Sequence, residues 1–114
     1  MNNLTGRLDA LVNQITLARP NADLLVAGII PMNVSSGRRF LNDDVKAYNK
    51  FIKDTLVPKY QNLGRNVRFV DQYQNFINPN GTIKAALLPD GVHPTQAGYD
   101  LMADTWLQAV LSLP

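Results

Sequence analysis

Seven consecutive apolar residues, Leu24-Leu25-Val26-Ala27-Gly28-Ile29-Ile30, run up to Pro31 with no polar side chain among them. Successive side chains of a strand point to opposite faces, so a strand with one wet face alternates apolar and polar positions. A run without alternation is the pattern of a strand buried on both faces, as in a parallel sheet, and proline at its end cannot continue the ladder. Such a strand needs helices on both sides. Leu4, Leu8, Leu11, Val12 and Ile15 recur at helical spacing just upstream. They predict a helix over Leu4–Ala18, with Thr5 or Asn3 as its cap and a stop at Arg19-Pro20, because proline disfavours helix in the residue before it.

The turn formers Asn33-Val34-Ser35-Ser36-Gly37-Arg38-Arg39 follow the strand. Then Asn42-Asp43-Asp44 stands as a capping cluster before Val45, Tyr48, Phe51, Ile52, Leu56, Tyr60 and Leu63, a helical stripe that Gly64 can end and that Pro58 can kink or split. Val67–Asp71 reads as a second short buried strand, and Asn78-Pro79-Asn80-Gly81 as a turn. From Thr95, a plausible N-cap, Ala97, Leu101, Met102, Thr105, Trp106, Ala109 and Val110 describe a last helix. Within it Trp106, Met102 and Val110 read as core packing, and Tyr48, Tyr60, Tyr73 and Tyr99 as core or rim. Alternation of helix and strand implies an α/β fold with right-handed crossovers. Only two strands are clear, and a two-stranded parallel sheet leaves edges and a face uncovered, so the pattern is that of part of a larger architecture.

At 114 residues the chain fits one small domain, 1–114, and its 46% apolar and 18% charged residues are those of a globular protein. No apolar run approaches the roughly 20 residues of a membrane span, and Met1–Leu8 lacks the charged and apolar regions of an export signal. The absence of cysteine excludes disulfides, thiolate nucleophiles and cysteine-based zinc sites and leaves the compartment undetermined. A net charge of +2 with scattered basic residues argues against nucleic-acid binding. Lys46, Lys50 and Lys53, at helical spacing, mark a solvated face.

The single histidine, His93, lies in Leu88-Pro89-Asp90-Gly91-Val92-His93-Pro94-Thr95. A carboxylate three residues before a histidine, on a loop held by glycine and proline, can accept the imidazole Nδ1 proton and leave Nε2 free as a base. That is the back half of a nucleophilic triad. The same residues also suit a plain turn at Asp90-Gly91 and a cap for the last helix. One histidine with scattered aspartates supplies no metal motif, and no cofactor is expected. Asp71, at the end of the second strand, either steadies the Asp90 loop or caps a turn of its own.

Beyond spacing, Asp90-Gly91-Val92-His93-Pro94-Thr95-Gln96-Ala97-Gly98-Tyr99 closely resembles the final sequence block of SGNH/GDSL hydrolases: Asp-x-x-His-Pro, a short polar stretch, and Gly-Tyr opening the last helix. Upstream, Leu8–Ile15 with Arg19-Pro20-Asn21-Ala22 and the run Leu24–Pro31 are similar to the helix and strand after that family's third block. Val45-Lys46-Ala47-Tyr48-Asn49-Lys50 is similar to the opening of its next helix, and Val67–Asp71 to the strand after it. The resemblance implies a three-layer α/β/α, flavodoxin-like SGNH-hydrolase fold, of which this chain is the C-terminal portion. It also implies a serine esterase acting on carboxylic esters, including acetyl and carbohydrate esters, with Asp90 as orienting carboxylate and His93 as general base and acid. The family's Gly-Asp-Ser nucleophile and its oxyanion-hole glycine and asparagine have no counterpart in this sequence. Ser35 and Ser36, on the loop after the first strand, lack the strand–turn–helix elbow of a nucleophile and are read as rim residues, and Ser112 as surface. The partners this implies are an ester substrate and a nucleophile-bearing N-terminal half; the alternative, from the exposed sheet edges, is a non-catalytic module derived from an esterase that joins a second copy of itself. Members of the family are often exported, which makes a secreted location plausible by resemblance.

Overall fold

Part of the apolar run becomes β1 (Leu24–Ala27), buried at Val26 and only half-buried at Leu24, Leu25 and Ala27 rather than covered on both faces as expected; it pairs in parallel with β2 (Val67–Val70) in the register Leu24 with Val67 through Ala27 with Val70. The computed structural model describes residues 2–33 and 40–114. Around the two strands lie α1 (Asn2–Ala18), α2 (Phe40–Phe51), α3 (Val57–Asn62) and α4 (Gln96–Leu111), with 3-10 turns at Tyr73–Phe76 and Ala85–Leu87. Parity along the strands separates the layers. Leu24, Val26, Val67 and Phe69 share one face and pack with Val12 of α1 and with Ile52, Leu56, Val57 and Tyr60. On the other face, Arg68 reaches the carbonyl of Ser112 at the end of α4. Gln72 and Asn75 bond to Met102 and Thr105 of the same helix. The result is a small parallel sheet flanked by helices, the α/β architecture expected.

The boundaries differ from the sequence reading for identifiable reasons. Asn3 and Thr5 lie inside α1 and do not cap it. The strand stops at Ala27 rather than Ile30: the last rung to β2 is the Gly28 N–H on the Val70 carbonyl at 2.9 Å, and the backbone of Ile29 is taken by the Asn49 side chain. Between α2 and α3, Ile52–Leu56 forms a π turn in which Val57 N–H donates to the Ile52 carbonyl. Pro58 has no N–H to give, and the wider turn carries the helix past it without a break. Gly64, at φ +78°, then ends α3 in a Schellman motif, with Gly64 N on Gln61 O at 2.9 Å and Arg65 N on Tyr60 O at 3.0 Å. Thr95 caps α4, as expected, by accepting from Gly98 N at 3.2 Å.

One packing expectation is overturned. Trp106 is 37% and Val110 53% exposed, while Met102 is half-buried. α4 spends its inward side on Gln72, Asn75 and Phe76. Its stripe of Tyr99, Trp106 and Val110 faces a direction in which no described element lies. Tyr60 is buried, Tyr48 and Tyr73 are half-buried, and Tyr99 is exposed. β1 has a matching opening. Leu24 and Gly28 turn their N–H groups to β2, so by the period of two Leu25 and Ala27 turn theirs away, and no described strand runs along that edge.

Candidate active site

The loop from Leu88 to Thr95 is anchored at both ends before it presents any side chain. Leu88 is buried, Gly91 N donates to Leu88 O at 2.9 Å, and Thr95 N donates to Leu87 O at 2.9 Å. A third tie comes from the chain leaving β1, where Asn33 N donates to Gly91 O at 2.8 Å. Gly91 sits at φ +85°, a conformation other residues rarely adopt. That turn brings the N–H groups of Val92 and His93 onto Asp90 Oδ1 at 2.8 and 2.7 Å. The second oxygen, Oδ2, lies 2.6 Å from His93 Nδ1.

The backbone N–H of His93, then that of Val92, then the imidazole hold the Asp90 carboxyl well below the usual carboxylate range. Asp90 therefore stays ionised through neutral pH and well into acid. An ionised carboxylate only accepts hydrogen bonds, so the proton between the two groups belongs to Nδ1, and in the neutral imidazole Nε2 becomes the basic nitrogen. No described residue bonds to Nε2. The pair lies open, with side chains 75% exposed for His93 and 55% for Asp90. Its surface character means that the contact orients the ring rather than adding appreciable stability.

Of the plain structural roles this loop could have, the turn at Asp90-Gly91 is present and the helix cap is not. Helix α4 is capped by Thr95, while the Asp90 side chain is occupied by its own loop and the His93 ring. Asp71 Oδ1 accepts from Gln74 N, three residues on, at 3.2 Å. Ser112 bonds to Ala109 O at the far end of α4. Ser35 and Ser36 lie outside the described residues. The three lysines are exposed, and Lys50 pairs with Asp54 at 2.7 Å. A groove of about 320 Å³ lined by Lys46, Lys53, Phe69 and Asp71 contains neither Asp90 nor His93. Among the described residues no cluster of three or more His, Asp or Glu could hold a metal, and no helix is long and apolar enough to cross a membrane.

Sequence reasoning missed two residues that hold this region, Asn42 and Asn49. Their side chains bond to the backbone of Met32 and Ile29. The signal was present as two asparagines seven apart on one helix, but asparagine near a helix start reads first as a cap.

Comparison with known proteins places this geometry in context. The model of the GDSL-like lipase/acylhydrolase family matches residues 2–101, which include the Asp90–His93 loop. A protein of Streptococcus pneumonia superposes with a TM-score of 0.77 at 19% identity, covering 95% of this chain and 50% of that one. A Clostridium thermocellum family 3 carbohydrate esterase gives 0.61 at 28% identity, covering 89% and 43%. A GDSL-like lipase of Bacteroides thetaiotaomicron gives 0.62 at 21% identity, covering 93% and 52%. The chain thus spans about half the length of the solved structures it matches. No curated protein is significantly similar to it in sequence.

Proposed function

The chain belongs to the GDSL-like lipase/acylhydrolase family, and on that premise we propose that Asp90 and His93 are the orienting carboxylate and the general base of a serine ester hydrolase. The observation that carries this reading is the 2.6 Å contact of Asp90 Oδ2 with His93 Nδ1 beside an Nε2 that no described residue occupies. A serine hydroxyl attacks the acyl carbon of the ester while Nε2 takes its proton, and His93 returns that proton to the departing alcohol. Water then repeats the sequence on the acyl-serine. Acylated carbohydrates are the substrate class suggested by the likeness to the Clostridium thermocellum esterase.

The serine comes from other polypeptide, since the sequence has no Gly-Asp-Ser, and the outer edge of β1, along which no described strand runs, is where that polypeptide would pair. Each missing oxyanion donor costs about 100- to 1000-fold in rate, so the chain alone is nearly inert. Purified chain mixed with p-nitrophenyl acetate is expected to show no burst of acyl-enzyme and no rate above that of His93→Ala. A burst that disappears in Ser35→Ala or Ser36→Ala would assign the nucleophile to this chain and sink the proposal.

A second reading, a non-catalytic module that self-associates, is favoured by the open β1 edge together with the exposed stripe of α4. It requires a dimer in sedimentation that dissociates in Trp106→Glu. A monomer at every concentration removes it.

A further inference from the structure

Two asparagine side chains do for the chain leaving β1 what a neighbouring strand would do. Asn49 accepts from Ile29 N at 2.7 Å and donates to Ile29 O at 2.8 Å. Asn42 accepts from Met32 N at 2.8 Å and donates to Met32 O at 2.5 Å. Each amide thus satisfies both backbone groups of one residue. The spacing is commensurate: seven residues of helix rise about 10.5 Å, and three residues of extended chain cover about 10 Å. Helix α2 and the segment run in opposite directions, so the two rungs meet without distortion. Gly28 admits the inner rung, because a Cβ there would lie 3.0–3.2 Å from the Asn49 amide atoms.

The outer rung stands one residue from the loop that matters. Asn33 follows Met32, and its N–H holds the Gly91 carbonyl at 2.8 Å. Gly91 is the residue whose left-handed turn aims the Val92 and His93 N–H groups at Asp90. We propose that Asn42 is a positioning residue for the Asp90–His93 pair, acting through Met32 and Asn33 on the Gly91 carbonyl. Freed of Asn42, Met32 and Asn33 can shift along the helix, the Gly91 carbonyl loses the tether that ties the loop to the chain leaving β1, and the exposed pair, held then only by bonds within its own loop among the described residues, loses part of its alignment. The functional meaning of that alignment rests on the hydrolase reading above, but the alignment itself is measurable without any ester.

The test is the tautomer of the His93 ring in the whole chain by nitrogen-15 NMR, above the pH range in which histidine titrates. The unmodified chain is expected to carry the proton on Nδ1. Asn42→Ala is expected to move the ratio about fivefold toward Nε2–H, the change that one ordinary hydrogen bond produces. Asn42→Asp keeps the side-chain volume and the acceptor for Met32 N but not the donor to Met32 O, and should move it the same way. Tyr60→Phe removes the hydroxyl contact with Asp9 that ties α3 to α1, and should lower stability while leaving the ratio alone. A wild-type ratio in folded Asn42→Ala or Asn42→Asp overturns the proposal. So does the absence, in the unmodified chain, of a scalar coupling across the Asn33–Gly91 hydrogen bond. An Nδ1–H ring without hydrolysis in any completed enzyme would instead count against the hydrolase reading alone.

Discussion

Fused behind the first half of a GDSL-type esterase, so that a serine and its oxyanion donors lie beside β1, the chain is expected to yield a p-nitrophenyl acetate esterase that loses about 1000- to 10,000-fold in kcat on His93→Ala. The loss arises because the alanine enzyme has no group to take the serine proton as the acyl bond forms. Asp90→Asn should cost nearly as much by a different route. The amide can keep the two backbone contacts on its oxygen, but it then faces Nδ1 with a donor, which favours the tautomer whose Nε2 carries the proton. The two variants are not expected to add, since each disables the same proton transfer. Activity unchanged in His93→Ala, in a fusion that hydrolyses the ester, would refute the assignment. Because Asp90 stays ionised far into acid, its carboxylate should not set the acid limb of the kcat profile.

Phe76→Ala is expected to destabilise the chain by about 3–5 kcal/mol, measured as the change in urea unfolding free energy. Phe76 is fully buried, at the end of the 3-10 turn Tyr73–Phe76. Its ring lies where a Cβ on Gly98 would come within 3.0 Å, so it fills the space against the first turn of α4. Its carbonyl accepts from Lys84 N at 2.8 Å, which closes the loop on the way to the Asp90 turn. Against the roughly 5–15 kcal/mol by which domains are typically stable, a loss of that size leaves little for a two-stranded sheet. Loss of the α4 packing should also free the Asp90–His93 loop, which is tied through Thr95 to Leu87. A change below about 1 kcal/mol would mean that the ring is not packed as described.

The sequence by itself determined the elements and the chemistry that local rules govern. Apolar continuity at Leu24–Ile30 and the β-branched and aromatic residues Val67, Phe69 and Val70 marked both strands, because such side chains suit a pleated, half-buried surface. Thr95 and Gly64 marked a helix start and a helix end through chemistry confined to one turn. The contact between Asp90 and His93 was legible for the same reason: they stand three positions apart, and a glycine turn is enough to bring them together. The tertiary structure alone decided what depends on groups distant in the chain. It shortened β1 at Ala27, since the length of a strand is set by its partner and by whatever else claims its backbone, here Asn49 twenty residues away. It exposed Trp106 and Val110, since a helical stripe records which residues are apolar and not which neighbour is there to cover them. It also tied the Asp90–His93 loop to the chain leaving β1 through Asn42, Met32 and Asn33, because two asparagines seven apart on a helix do not record which backbone their amides will meet.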